Sequence, residues 1–246
     1  MSLKKSEARI GTSGYQYRHW KSCFYPDDIP QKKWFDFYAS HFDTVEINNT
    51  FYHLPAAETF DEWRWQAPAG FLYTLKFSRY ATHLKHLKEP AETIHLFLDR
   101  ANRLKNFLGP ILVQLPPQWK VDLARLEQFL QNAPTSHRWA LEFRNPGWLT
   151  NSVYAILEKY NAALVIHDLI PAHPQIITAD WVYLRYHGIE GDGGNYSRDY
   201  LKRQAEKIHK FLQSGQDVFA YFNNDIGGFA VENARQLKEL LFSCNC

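Results

Sequence analysis

Short runs of β-branched and aromatic residues recur along the whole chain, separated by stretches of helical periodicity, and most of them stop at a charged or amide side chain. The stops are Glu46 with Asn48, Lys76, Gln114, Glu142 with Arg144, His167 with Asp168, Arg185 with His187, and Asn223 with Asn224 and Asp225. Runs of this kind, apolar on both faces and alternating with helices, are strands of a parallel sheet. If that sheet closes into a barrel, the residues that end the strands meet at one rim, where such barrels carry their chemistry.

Periodicity and breakers predict eight strands: Ala8 to Ser13, Thr44 to Asn48, Phe71 to Phe77, Pro110 to Leu115, Trp139 to Phe143, Ala163 to His167, Trp181 to His187 and Val218 to Phe222. Helices are expected at about Gln31 to His41, Glu58 to Gln66, Pro90 to Phe107 as the longest, Asp122 to Asn132, Asn151 to Tyr160, Arg198 to Leu212 and Phe229 to Leu241. Only the connection from the sixth strand to the seventh lacks an evident helix. Eight units in 246 residues favour closure into a single (β/α)8 TIM-barrel-like domain over residues 1–246, with an ordered core of about 8–242. The open, doubly wound alternative wants a glycine-rich dinucleotide loop after its first strand. Gly11-Thr12-Ser13-Gly14 is too short for it and leads into bulky Tyr15 and Tyr17.

Composition narrows the classes of function. No apolar stretch approaches the roughly 20 residues of a membrane helix, and the opening Met1 to Glu7 is charged, so a cytoplasmic protein with no membrane partner is expected. Cys23, Cys244 and Cys246 leave one thiol over under any pairing and are read as reduced. A net charge of +2 is too small for bulk nucleic-acid binding, although a local basic patch is compatible with it.

The residues also resemble a known family. Ile10-Gly-Thr-Ser-Gly14, Thr44-Val-Glu-Ile-Asn48 leading into Thr50-Phe-Tyr52 and Leu54-Pro55, Lys76 with Ser78-Arg-Tyr80 and Thr82-His83, Gln114-Leu-Pro-Pro117, Glu142-Phe-Arg144, Tyr183-Leu-Arg-Tyr-His-Gly188 and Tyr221-Phe-Asn-Asn-Asp225 together look like the YecE-like family, a domain of unknown function. The resemblance spans almost the whole chain in order. It implies a TIM-barrel-like fold with shared polar residues at the rim, and no agreed reaction. Tyr15, where the family usually has tryptophan, and the Gly191-Asp-Gly-Gly194 insertion before Tyr196 are mild departures.

The rim residues sort by chemistry. Glu46 and Glu142 are paired carboxylates suited to acid and base roles, with an ion pair to Lys76 or Arg185 as the plain structural reading. Lys76 and Arg185 are expected to stabilise developing negative charge. Arg144, Arg185 and His187 suit anion recognition, and the loops after the seventh and eighth strands suit a phosphate. Asn48, Gln114, Asn223 and Asn224 can orient hydroxyls, and Asp168 completes the polar set. Tyr15, Tyr17, Trp20, Phe24, Tyr25, Phe51, Tyr52, Trp148, Tyr196 and Tyr221 crowd the entry loop and the mouth as candidates for stacking on a ligand, and at least one of Tyr15, Trp20 or Trp148 is expected to do so. Glu46, Glu142, His167, Asp168 and His187 are metal-ligand types but form no compact metal motif, so no cofactor or required divalent metal is expected. The expected function is an enzyme of hydrolase or isomerase type acting on a small anionic or polyhydroxylated substrate, such as a sugar phosphate or nucleotide fragment. The alternatives are a nucleic-acid-binding or processing protein, using the basic run Arg79, His83, Lys85, His86 and Lys88, and a non-catalytic sensor of the same ligand.

Overall fold

The computed structural model describes residues 6–188 and 193–243. Cys244, Cys246, Gly191 and most of the charged opening segment, Met1 to Lys5, lie outside the described residues. In chain order the strands and α-helices are β1 (Ala8–Thr12), α1 (Trp34–Ala39), β2 (Thr44–Ile47), α2 (Asn49–Tyr52), α3 (Ala57–Gln66), β3 (Leu72–Lys76), α4 (Pro90–Ala101), β4 (Leu108–Leu115), α5 (Leu123–Asn132), β5 (Trp139–Phe143), α6 (Asn151–Lys159), β6 (Ala163–His167), β7 (Trp181–Tyr186), α7 (Arg198–Gln213), β8 (Asp217–Phe222) and α8 (Phe229–Ser243). The chain divides into two compact units, Met1–Val45 with Asp180–Cys246 and Glu46–Ala179.

In the first unit β8 lies between β1 and β7, and both pairings are parallel. Strand residues from Ile10 to Thr12 and throughout β7 are buried, which is why these runs show no polar alternation. Helix α7 begins where the Ser197 hydroxyl accepts from Tyr200 N at 3.2 Å, and it buries Leu201, Ala205 and Ile208, spaced along one helical face. A buried hydroxyl network joins the strand ends. Thr12 N donates to the Tyr38 hydroxyl at 3.0 Å, that hydroxyl donates to Thr44 O at 3.0 Å, and Thr44 Oγ1 meets the Tyr221 hydroxyl at 2.7 Å.

In the second unit β3, β4, β5 and β6 run parallel in chain order. Helix α5 starts at Asp122, whose carboxylate accepts from Arg125 N at 3.0 Å, and buries Leu126, Phe129 and Leu130 as the sequence spacing requires.

The expected helix from Pro90 to Phe107 is two elements. It ends as an α-helix at Ala101 and continues as a tight 3-10 turn in which Lys105 takes φ 53°, ψ −125°. That reversal lets β4 begin at Leu108, and the longest helix is instead the 16-residue α7. The connection from β6 to β7 contains only turns and bends, as expected.

Candidate functional site

Strand register sets the geometry of the second unit. Lys76 is level with Leu112, which is level with Ala140, and Gln114 pairs with Glu142 one pleat farther on, so all three polar side chains leave the same sheet face. Glu142 is fully buried, and its carboxylate accepts from Arg144 Nε. Arg144 Nη2 also donates to Gln114 Oε1 at 3.4 Å, which fixes that amide oxygen as the acceptor.

Lys76 is buried, with Nζ 4.3 Å from the centroid of Phe51. Phe51 sits on α2, which is tied to the end of β3 by Thr50 Oγ1 donating to Lys76 O at 2.7 Å. The same ring also meets His83, edge-on with centroids 5.1 Å apart. Burial, then the charges of Lys76, Arg79, His86 and Arg144, push the His83 pKa from 6.5 down to about 4. Glu46 is fully buried at the end of β2. Among the described residues the buried Asn48 Oδ1 has no hydrogen-bond partner.

Other expected residues of this unit take different roles. Trp148 is fully buried, stacked on Phe143 with centroids 5.0 Å apart, and its Nε1 donates to Trp119 O at 2.8 Å. No ring face is left for a ligand. Tyr52 is 74% exposed and Asp168 partly buried. His167 Nδ1 accepts from Leu169 N at 3.3 Å, so its Nε2 donates to Phe143 O at 3.0 Å and both nitrogens are used within the protein. Among the described residues no group of three or more His, Cys, Asp or Glu is placed to hold a metal ion.

In the first unit Arg185 and Tyr221 are fully buried and level with each other on β7 and β8. His187 is partly buried just past β7, and Asn223 N donates to Tyr186 O at 2.7 Å. Tyr196 is buried against Tyr200, and its hydroxyl accepts from Gly188 N at 2.6 Å. Asn224 Nδ2 donates to Gly194 O at 2.8 Å and to Asn233 Oδ1 at 2.9 Å, which leaves its buried Oδ1 as a bare acceptor. A bare acceptor suits a hydroxyl or ammonium, and residues 189–192 of the loop at which a phosphate is expected lie outside the described residues. Tyr15 is buried against Phe35, and Trp20 is fully buried with Nε1 donating to Asp225 O at 3.2 Å. Stacking on a ligand was expected of Tyr15, Trp20, Tyr196 and Tyr221; packing is what these rings do here.

The model for the family described as protein of unknown function DUF72 matches residues 9–244. The chain belongs to the DUF72 family. The UPF0759 protein YunF of Bacillus subtilis is 25% identical over 253 residues, covering 88% of this chain and 89% of YunF. YecE of Escherichia coli K12 is 33% identical over 110 residues, covering 44% of this chain and 40% of YecE, in line with the resemblance that the motifs carry. A crystal structure of a DUF72 family protein from Thermotoga maritima superposes with a TM-score of 0.86 at 26% identity, covering 96% of this chain and 99% of that one. One from Enterococcus faecalis, at 22% identity and a TM-score of 0.81, covers 96% and 95% and shares the fold. The fold is TIM-barrel-like, with eight parallel strands and helices between them. Among the described residues no helix is long and apolar enough to cross a membrane.

The sequence places His83 only in the basic run with Arg79, Lys85, His86 and Lys88, and Phe51 only among the aromatics of the mouth; it assigns neither an acid–base role. The His83 environment predicts a pH dependence. The unfolded chain takes up the imidazole proton near pH 6.5, the folded protein only near pH 4, so stability should fall as pH drops between those values. Urea midpoints across that window should fall less steeply for His83→Gln than for the parent. Equal slopes would show that His83 is not held neutral.

Proposed function

We propose that this DUF72 protein is an enzyme acting on a small anionic substrate of the sugar-phosphate kind, bound where β3, β4 and β5 end. The observation that carries the reading is that Lys76 and His83 share the Phe51 ring, while Arg144 is held on Glu142 and Gln114 at the ends of β4 and β5 and its charge is felt at His83. Cations gathered about a neutral imidazole make a site of positive potential with an acid–base group inside it. Lys76, braced on Phe51, supplies a point charge, while Arg144, oriented by Glu142 and Gln114, supplies a planar fork for carboxylate or phosphate oxygens. The acid–base work falls to side chains, and hydrolysis and isomerisation both fit it.

Binding is tested with inorganic phosphate as the probe, followed by calorimetry, and turnover with a panel of sugar phosphates read by mass spectrometry. Lys76→Met should weaken phosphate about tenfold, the scale of one charge-assisted hydrogen bond. Equal phosphate affinity in the parent and Lys76→Met would remove Lys76 from the site and the reading with it.

A second reading, nucleic-acid binding, is favoured by an open cleft of about 500 Å³ lined by Leu84, Lys85, Lys88, Glu89, Arg125 and Gln128. Its basic surplus is reduced by the ion pair of Lys85 with Glu89. A steep loss of single-strand affinity with salt would support it, and no retention at low salt would exclude it.

A further inference from the structure

We propose that His83 is the proton acceptor of this site, held as its neutral Nδ1–H tautomer so that Nε2 is bare toward the reacting proton of an anionic substrate. The proposal deepens the preceding reading and rests on it for the charge of the substrate.

The tautomer follows from counting protons. Residues Tyr80–Leu84 form one π-helical turn, closed by Lys85 N donating to Tyr80 O at 2.8 Å. Within it Thr82 N and Thr82 Oγ1 both donate to Ser78 O, at 3.1 and 3.0 Å. A hydroxyl has a single proton, and a carbonyl oxygen can only accept. The buried Thr82 Oγ1, having given its proton to Ser78 O, can only accept from His83 Nδ1, 2.9 Å away. The proton of the neutral ring therefore sits on Nδ1 and the lone pair on Nε2. Among the described residues Nε2 has no protein hydrogen-bond partner.

The surroundings suit proton transfer toward that lone pair. His83 stands against the edge of Phe51, the same ring that holds the Lys76 ammonium, so base and cation share one aromatic support. The groups facing His83 are Lys76 from β3, Arg144 from beyond β5, and Arg79 and His86 from its own segment. In the step itself a substrate X–H bond breaks and the proton moves to Nε2. The electron pair stays on X, and the negative charge that develops faces Lys76 and Arg144. The imidazolium returns the proton to a neighbouring substrate atom, so no oxidant, reductant or co-reactant is consumed.

The same cations set the timing. In the free protein burial, with these charges adding to it, keeps His83 unprotonated, and an anion that offsets the charges makes the ring a stronger base. The base is thus weak until substrate arrives, and substrate binding in the acid range where His83 titrates should draw in a proton.

Nitrogen NMR of the uniformly ¹⁵N-labelled protein tests this, with the His83 signals identified by their loss in His83→Gln. The expected result is a protonated Nδ1 and bare Nε2 at neutral pH, with saturating inorganic phosphate raising the proton affinity about tenfold, one pH unit. Thr82→Val, which removes the accepting hydroxyl, should shift the ring toward Nε2–H. A parent ring already protonated at Nε2, or a titration midpoint unmoved by phosphate that calorimetry shows to be bound, would overturn the proposal. Failure of phosphate to bind at all would instead strike the anion reading and this use of Nε2 with it, a result the ligand-free tautomer measurement keeps distinct.

Discussion

Replacing Gly11 by alanine is expected to destabilise the protein by about 3 kcal/mol or more, at the upper end of what overpacking costs. A methyl group on Gly11 would lie 2.3 Å from Thr44 O, 3.1 Å from Thr44 C and 3.1 Å from the Tyr38 hydroxyl. The nearest obstacle is backbone, which cannot rotate away as a side-chain tip can. It is also committed, because Thr44 O accepts the Tyr38 hydroxyl that in turn accepts from Thr12 N. Relief by displacement would leave buried polar groups unpaired, at about 1–3 kcal/mol each. Gly70→Ala is the control. Its φ of +82° makes alanine uncomfortable, but nothing lies within 4 Å of the added carbon, so its cost should be only about 1 kcal/mol. Thermal or urea unfolding should rank the two variants in that order. Equal costs would mean that β1 can shift away from Thr44 freely.

The motif around Gly11 was legible as a pattern in the sequence, but its cause, the close approach of two backbones, was not. The same division runs through the fold. Strands β5 and β6 have the bounds that the sequence predicts, Trp139–Phe143 and Ala163–His167, because Asn145-Pro146-Gly147 and Asn161 close or precede them unambiguously. The overlong helix after Pro90 arose because Ile94, Phe97, Leu98, Ala101 and Leu104 keep helical spacing, while the left-handed Lys105 that ends it carries no marker such as glycine. The π-helical turn at Tyr80–Leu84 was equally silent, since one extra residue in a turn leaves no periodic trace.

At the site, residue type was readable and environment was not. Lys76, Gln114 and Glu142 could be placed at one rim as strand-ending residues, while their sharing of a sheet face is visible only in the strand register. Trp20 and Trp148 look in sequence like stacking platforms, yet burial decides the matter and places them in the packing. His83 shows the limit most clearly, because its meaning comes from Phe51, Lys76 and Arg144, which lie 32, 7 and 61 positions away along the chain.

Arg144→Met should cost far more stability than Glu142→Gln, although both break the same ion pair. The guanidinium keeps 22% of its side-chain surface in solvent, whereas the carboxylate keeps none. Removing Arg144 takes a charged donor from a fully buried carboxylate, for which up to about 3–5 kcal/mol is the usual cost. Removing the charge of Glu142 leaves a partly hydrated guanidinium and a glutamine oxygen that can still accept from Nε, so about 1–2 kcal/mol is expected. The deficit of Arg144→Met should shrink in acid, where the stranded carboxylate can take up a proton. The double variant Arg144→Met with Glu142→Leu should recover much of the loss, because a well-packed apolar pair replaces the ionic one without an orphan. Urea midpoints for the four proteins close the cycle. If Glu142→Gln proves the costlier change, the buried carboxylate is held chiefly by other donors and Arg144 is free to turn toward a ligand. The order of these two costs therefore decides whether Glu142 serves the site by aiming Arg144 or merely shares its neighbourhood.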